Sequence, residues 1–138
     1  MTEKNSKTKH EKLFDGITEL LANKFRAAVA TGKSQRGADR VIRHFGFEGR
    51  FEVILGGDSV PNPKPSPDLL FSIMESTGTK DLVMVGDTTY DLEMAKNAMI
   101  DSVGVSYGAQ VESQLIEYNP LVIVDNAYDL FTWLNKNG

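Results

Sequence analysis

Apolar and polar positions change period repeatedly along this chain, and each change marks a candidate element. Ile17, Leu20, Leu21 and Phe25 recur at helical spacing and predict a first helix, with Asp15 as its cap. Ala27 to Ala30 form a short apolar run that reads as a buried strand and ends at Thr31-Gly32-Lys33. Ser34 can cap a helix with Ala38, Val41, Ile42 and Phe45 on its inner face and Gly46 as its stop. Val53-Ile54-Leu55 predicts a second strand ended by Gly56-Gly57, and Asn62-Pro63-Lys64-Pro65 a stiff loop. Ser66 is expected to cap the next helix, with Pro67 at its first position, Leu69, Leu70, Ile73 and Met74 inward, and Gly78 closing it. Leu82 to Val85 is a third strand, followed by Gly86-Asp87 and a helix to about Ala98. Ser102 to Val105 is a fourth strand, Val111 to Tyr118 a short helix, and Leu121 to Val124 a fifth strand. A last helix starts near Asn126, with Leu130, Phe131 and Leu134 on one face. Strands alternating with helices predict an α/β fold, a parallel sheet covered on both faces.

Composition narrows the function classes. The 138 residues suit one domain, 13–138, preceded by a polar arm, 1–12, in which Lys4, Lys7, Lys9 and Lys12 stand among other polar residues. A net charge of −4 argues against non-specific nucleic-acid binding, which needs a basic footprint. With no cysteine, disulfides, thiolate metal sites and cysteine nucleophiles are excluded. No apolar run reaches the ~20 residues of a membrane span, and the first twelve residues lack the apolar core of a signal peptide. The expectation is a cytoplasmic protein with neither nucleic acid nor membrane as partner.

In open parallel sheets, ligands bind at the carboxyl ends of the strands, so the polar residues there carry the candidate chemistry. Thr31, Gly32, Lys33 and Ser34 lie between a strand and a helix start, where a hydroxyl and free backbone N–H groups suit a phosphate oxygen. A P-loop is the rival reading of Gly32-Lys33-Ser34, but it requires glycine five positions before Gly32, where Ala27 stands. Ordinary capping by Ser34 is the plain structural reading. Lys64, held between Pro63 and Pro65, is displayed from a rigid platform and can neutralise a phosphate and a carboxylate beside it; otherwise it is a solvated lysine in a turn. Asp87 leaves the third strand, and Asp91 follows one helical turn later on the same face. Two such carboxylates are hard oxygen ligands for Mg²⁺, completed by waters and substrate phosphate. The plain alternative is that Asp87 caps the helix and Asp91 complements its dipole. The three clusters together outline a site for magnesium and a phosphorylated small molecule.

These residues resemble the haloacid dehalogenase superfamily, specifically its phosphoglycolate-phosphatase-like branch, over Leu13 to Trp133. Ala28-Val29-Ala30-Thr31-Gly32-Lys33-Ser34 is similar to the second motif, whose Thr or Ser binds the transferring phosphoryl group. Pro63-Lys64-Pro65-Ser66-Pro67 is similar to the third, whose lysine steadies nucleophile and phosphate. Val85-Gly86-Asp87-Thr88-Thr89-Tyr90-Asp91 is similar to the fourth, which holds Mg²⁺, and Ser102 to Gly108 also reads like this branch. The resemblance implies a Rossmann-like core and a phosphate monoester hydrolase. It assigns Thr31, Lys64 and Asp87 to catalysis, Thr31, Gly32, Lys33 and Lys64 to phosphate, and Asp87 and Asp91 to the metal.

One departure is large. The family opens on a strand bearing Asp-x-Asp, whose first aspartate attacks phosphorus, and no Asp-x-Asp occurs in these 138 residues. Phe14-Asp15-Gly16 is a decoy: with Asp15 as the second acid, the nucleophile position would be Leu13, and Lys9 to Lys12 cannot form a buried strand before it. Leu13 to Ile17 instead resembles the segment leading from the cap domain into the second motif. The resemblance therefore implies a truncated core without the first strand or the cap, inactive alone or dependent on a missing segment. In the family that strand lies centrally, between those ending here at Thr31 and Asp87. Its apolar side chains, at ~1.5–3 kcal/mol each, contribute roughly 7–15 kcal/mol, comparable to a domain's whole net stability. The expectation is a chain that closes the gap, self-associates or takes a strand-donating partner. Two other readings stay open: a non-catalytic module that keeps the phosphate site, and a receiver-type signalling domain. In the latter the acidic pair comes early and the lysine last, whereas Lys64 here precedes Asp87 and Asp91.

Overall fold

The computed structural model describes residues 26–106 and 112–137. The polar arm, the predicted first helix with Asp15, and Tyr107-Gly108 lie outside the described residues. Within them the order is β1 (Ala28–Ala30), α1 (Gln35–His44), β2 (Val53–Leu55), α2 (Asp68–Thr77), β3 (Val83–Gly86), α3 (Thr89–Asn97), β4 (Asp101–Val105), α4 (Glu112–Leu115), β5 (Val122–Val124) and α5 (Ala127–Asn137). Short 3₁₀ turns follow β2 at Gly57–Ser59 and α4 at Ile116–Tyr118.

All strand pairs are parallel, as the alternation of elements requires. They form two sheets among the described residues. In one, β1 pairs with β2, Val29 opposite Ile54. In the other the order is β3-β4-β5, Val85 opposite Val103 and Gly104 opposite Ile123. Neither β1 nor β3 has a second strand partner among the described residues. Among the described residues the sheet is thus divided at the place where the family resemblance puts a further strand.

A shared core joins the two sheets. Leu69, Leu70 and Ile73 of α2 and Met94 and Ala95 of α3 are buried together with Ala98, and Ala28, Ala30, Val53, Leu55 and Met84 pack against them. Each fully buried Leu, Ile or Met side chain contributes about 1.5–3 kcal/mol, so this layer binds β1-β2 to β3, which share no ladder among the described residues. On β4, Val103 and Val105 pack with Val124, Leu130, Trp133 and Leu134, which places α5 on the opposite face. The period-2 alternation of β3 turns Met84 into the shared core and leaves Val83 44% and Val85 36% exposed.

Local signals set the helix ends. Gly78 terminates α2 in the left-handed region at φ +75°, a conformation that costs glycine little. The start of α2 differs from expectation: Pro67 occupies the cap position and the helix begins at Asp68, whose N–H donates to the Ser66 hydroxyl at 3.3 Å. Proline fixes φ but supplies no side-chain acceptor, so the serine caps from one position further back. No helix among the described residues is long and apolar enough to cross a membrane.

Candidate active site

The turns after β1 and β3 and the proline-rich loop before α2 meet around one cavity of about 490 Å³. Thr31, Gly32 and Lys33 come from the first turn, Lys64 from the loop, and Asp87, Thr88 and Asp91 from the turn into α3. All six residues assigned to phosphate, catalysis or metal by the sequence therefore line the same space. Val29, Ala38, Val41 and Ile42 give it an apolar wall, and Tyr90 stands at its edge.

The first turn and the start of α1 are largely satisfied by their own side chains and by Asp58. Thr31 Oγ1 accepts the Lys33 N–H at 3.2 Å, Ser34 Oγ accepts the Gly37 N–H at 3.0 Å, and the Gln35 N–H donates to Asp58 Oδ1 at 2.7 Å. Several of the backbone donors expected for phosphate are thus already engaged. What the turn offers the cavity is the Thr31 hydroxyl, whose own proton is not used in that bond, and the Lys33 ammonium. Ser34 is the cap of α1, as its plain reading held.

The second cluster is not a solvated lysine. Lys64 Nζ bonds to Asp91 Oδ1, and their side chains are 16% and 6% exposed. The peptide bond from Lys64 to Pro65 is cis. Asn97 Nδ2 donates to the Pro65 carbonyl at 2.9 Å, and Asp68 Oδ2 accepts from Asn62 N and Nδ2 at 3.1 and 3.2 Å. The loop carrying Lys64 is tied at both ends.

Thr88, rather than Asp87, is the N-cap of α3: its hydroxyl accepts the Asp91 N–H at 3.2 Å. Asp91 returns the bond, its Oδ2 accepting the N–H groups of Thr88 at 3.3 Å and Asp87 at 3.2 Å, which completes a capping box. Both carboxylate oxygens of Asp91 are therefore engaged, one by Lys64 and one by backbone. Gly86 is glycine because a Cβ there would lie 2.3 Å from Asp91 Cβ. Asp87 lines the cavity beside this pair.

This donor set bears on magnesium. Among the described residues no three His, Asp or Glu side chains cluster as a metal cage. Asp87 and Asp91 both line the cavity, and Asp91 is already bonded to Lys64 and to backbone N–H groups. Carboxylates completed by waters and substrate phosphate are a pattern Mg²⁺ accepts, so these residues fit that ion.

Three supporting residues escaped the sequence reading: Gln35, Asp58 and Asn97. Apart from Asp39, four positions from Gln35, their side-chain partners lie 19 to 32 positions away, as with Gln35 to Ile54 and Asn97 to Pro65, and no local period marks such contacts.

The chain is similar to known proteins. The family model of haloacid dehalogenase-like hydrolases matches residues 1–105. Phosphoglycolate phosphatase of Psychrobacter arcticus is 32% identical over 123 residues, covering 88% of this chain and 54% of that protein. Pyrophosphatase PpaX of Halalkalibacterium halodurans is 30% identical over 123 residues, covering 88% of this chain and 57% of its own length. The crystal structure of a predicted phosphatase from Clostridium acetobutylicum superposes with a TM-score of 0.80 at 27% identity, over 89% of this chain and 60% of that one. The chain spans little more than half the length of these relatives.

Proposed function

The chain belongs to the haloacid dehalogenase-like hydrolases, and from that membership we propose that it carries the phosphate-holding half of a phosphate-monoester phosphatase site, without an attacking carboxylate of its own. The observation behind this reading is the convergence of Thr31, Gly32, Lys33, Lys64, Asp87 and Asp91 on one cavity.

Each side chain has a task that its surroundings favour. The Thr31 hydroxyl donates to a phosphoryl oxygen. Lys64 has three donors, of which Asp91 takes one, and a lysine held this way presents its charge to phosphate without having to be ordered on binding. Asp91 acts on the site through others: it orients Lys64 and fixes the turn that carries Asp87. Asp87 would hold Mg²⁺, which when bound neutralises charge on the phosphoryl oxygens. Lys33 supplies a second cation at the rim.

The missing part is the nucleophile. Covalent phosphoryl transfer in this family starts from an Asp-x-Asp strand, and the sequence contains no such pair. Positioning and electrostatics alone bind phosphate but do not open a covalent route. The 138 residues therefore hold phosphate with Mg²⁺ and do not turn over phosphate esters unaided. The relatives' names span phosphoglycolate and pyrophosphate, so the substrate class proposed is a small phosphorylated anion.

The test combines titration calorimetry of inorganic phosphate, with and without Mg²⁺, and hydrolysis assays on p-nitrophenyl phosphate and phosphoglycolate. Mg²⁺-dependent binding, weakened in Thr31→Ala and Lys64→Met, without turnover, is the expected result. Turnover abolished by Asp87→Ala would overturn the missing nucleophile, and absence of any phosphate binding would overturn the site itself.

A further inference from the structure

Against the Thr31–Lys33 turn stands a second turn, outside the family motifs assigned above, none of whose residues is among those lining the cavity. It runs from Gly56 to Ser59 after β2 and is pressed against the start of α1. A Cβ on Gly56 would lie 2.3 Å from the Gln35 nitrogen and 2.5 Å from the Ser34 carbonyl carbon, and one on Gly57 would lie 2.9 Å from the Gly32 oxygen. The Gly57 N–H donates to the Lys33 carbonyl at 2.7 Å. The backbone of one turn is thus the floor of the other.

Gln35 locks the two together. Its Oε1 accepts from the Gly56 N–H at 2.9 Å and the Ser59 hydroxyl at 2.6 Å. Its Nε2 donates to the Ile54 carbonyl at 2.8 Å and to Asp39 Oδ1 at 3.2 Å. Both acceptor sites and both donors of the amide are used, and the pattern fixes which end is oxygen. Asp58 completes the lock from the other side, its Oδ1 accepting the Gln35 backbone N–H at 2.7 Å. A carboxylate at that position also occupies a helix N-terminus that would otherwise compete for an anion.

We propose that Gln35 and Asp58 are positioning residues for phosphate: they hold the Thr31-Gly32-Lys33 turn in its binding geometry without touching the ligand. This rests on the phosphate-holding role proposed above. The physical reason is preorganisation. A turn fixed by these bonds is already ordered when the anion arrives, whereas a loosened one must be ordered at the expense of affinity. A role confined to stability predicts something else, namely equal affinity in whatever fraction of the protein is folded.

The experiment compares inorganic phosphate affinity by titration calorimetry with Mg²⁺ for wild type, Gln35→Ala, Asp58→Ala and Asp58→Asn. Val124→Ala, in the core under α5 and far from the turn in the fold, serves as a variant destabilised without touching it. Urea unfolding establishes that each is folded, and amide hydrogen exchange at Gly32 and Lys33 reads the turn directly. Gln35→Ala and Asp58→Ala should bind phosphate about tenfold more weakly, the size typical when outer partners of a ligand-holding group are removed. Their Gly32 and Lys33 amides should exchange faster. Asp58→Asn keeps an acceptor and should recover most of the affinity, and Val124→Ala should bind like wild type. Unchanged affinity in folded Gln35→Ala, with wild type binding normally, overturns the positioning role alone. No binding by wild type overturns the phosphate site and this role with it. Should Gln35→Ala fail to fold, the Asp58→Ala and Asp58→Asn comparison decides by the same criterion.

Discussion

The ammonium of Lys64 is bonded to the carboxylate of Asp91, 27 positions along the chain, in a pair almost closed to solvent. Taking away one member of such a pair leaves the other charge buried, a loss of about 3–5 kcal/mol. Lys64→Met and Asp91→Asn should each be strongly destabilising. The double variant should cost less than the sum of the singles, with an interaction energy of about 1–3 kcal/mol. Urea unfolding of the four proteins measures it, and strict additivity would mean that the pair carries no coupling.

Three glycines give a graded test of close approach. Gly56→Ala drives a Cβ into the backbone of Ser34 and Gln35, which cannot move without shifting α1, and should cost at least about 3 kcal/mol. Gly86→Ala meets the Asp91 side chain, which can yield only by breaking its bonds to Lys64 and the cap, and should cost about 2–3 kcal/mol. Gly32 has nothing within 4 Å of an added Cβ, so Gly32→Ala should lie within about 1 kcal/mol of wild type. Thermal or urea unfolding gives the order directly, and a Gly56→Ala protein as stable as Gly32→Ala would contradict the packing described.

Much of this was legible in the sequence, for physical reasons that differ from place to place. β2 was expected at Val53 to Leu55 and lies there, because a β-branched and apolar run ended by Gly56-Gly57 is a local signal. Gly78 ends α2 through its own backbone freedom, again a local property. The convergence of Thr31, Lys64 and Asp87 followed from topology, since parallel strands bring their carboxyl ends to one side. What the spacing of Asp87 and Asp91 did not reveal was how fully Asp91 is engaged by its neighbours. One turn of separation puts both acids on one face, but only the approach of Lys64 and the cap at Thr88 commits Asp91. Gln35 was hidden for the same reason: its four side-chain partners include groups 19 to 24 positions away.

Arg26 and Glu52 set a pH dependence. Arg26 Nε and Nη2 donate to the two Glu52 carboxylate oxygens at 2.5 and 2.9 Å, and Nη2 also donates to the Thr77 carbonyl at the end of α2, at 2.9 Å. The hydrogen bond from Arg26 holds the Glu52 carboxyl below its ordinary value of 4.5. A lowered folded-state value means that the stabilisation is fully present above 4.5 and is lost as pH falls through the folded-state value. Glu52→Gln should therefore be less stable than wild type at neutral pH, by a small margin because the pair is exposed, and the two should converge in acid. Urea midpoints taken from pH 7 to pH 3 check this. A gap that widened on acidification would refute the assignment.

The divided sheet leads to a prediction about association. β1 and β3 each present an edge with no strand partner among the described residues, and beside the β3 edge Val83 and Val85 are 44% and 36% exposed. An unpaired edge with apolar side chains is a template for another chain, and natural proteins suppress such pairing by placing lysine on it. The protein should show concentration-dependent association in analytical ultracentrifugation. Val83→Lys with Val85→Lys should shift it toward monomer while changing stability by no more than about 1 kcal/mol, since neither side chain is in the core. Met84, one residue away on the other face, packs into the shared core, and Met84→Ala should cost about 2 kcal/mol or more without altering association. That contrast separates an edge effect from general destabilisation. Association that persists unchanged in the double lysine variant would place the contact elsewhere on the molecule, and a wild type monomeric at every concentration would show that these edges are not pairing surfaces.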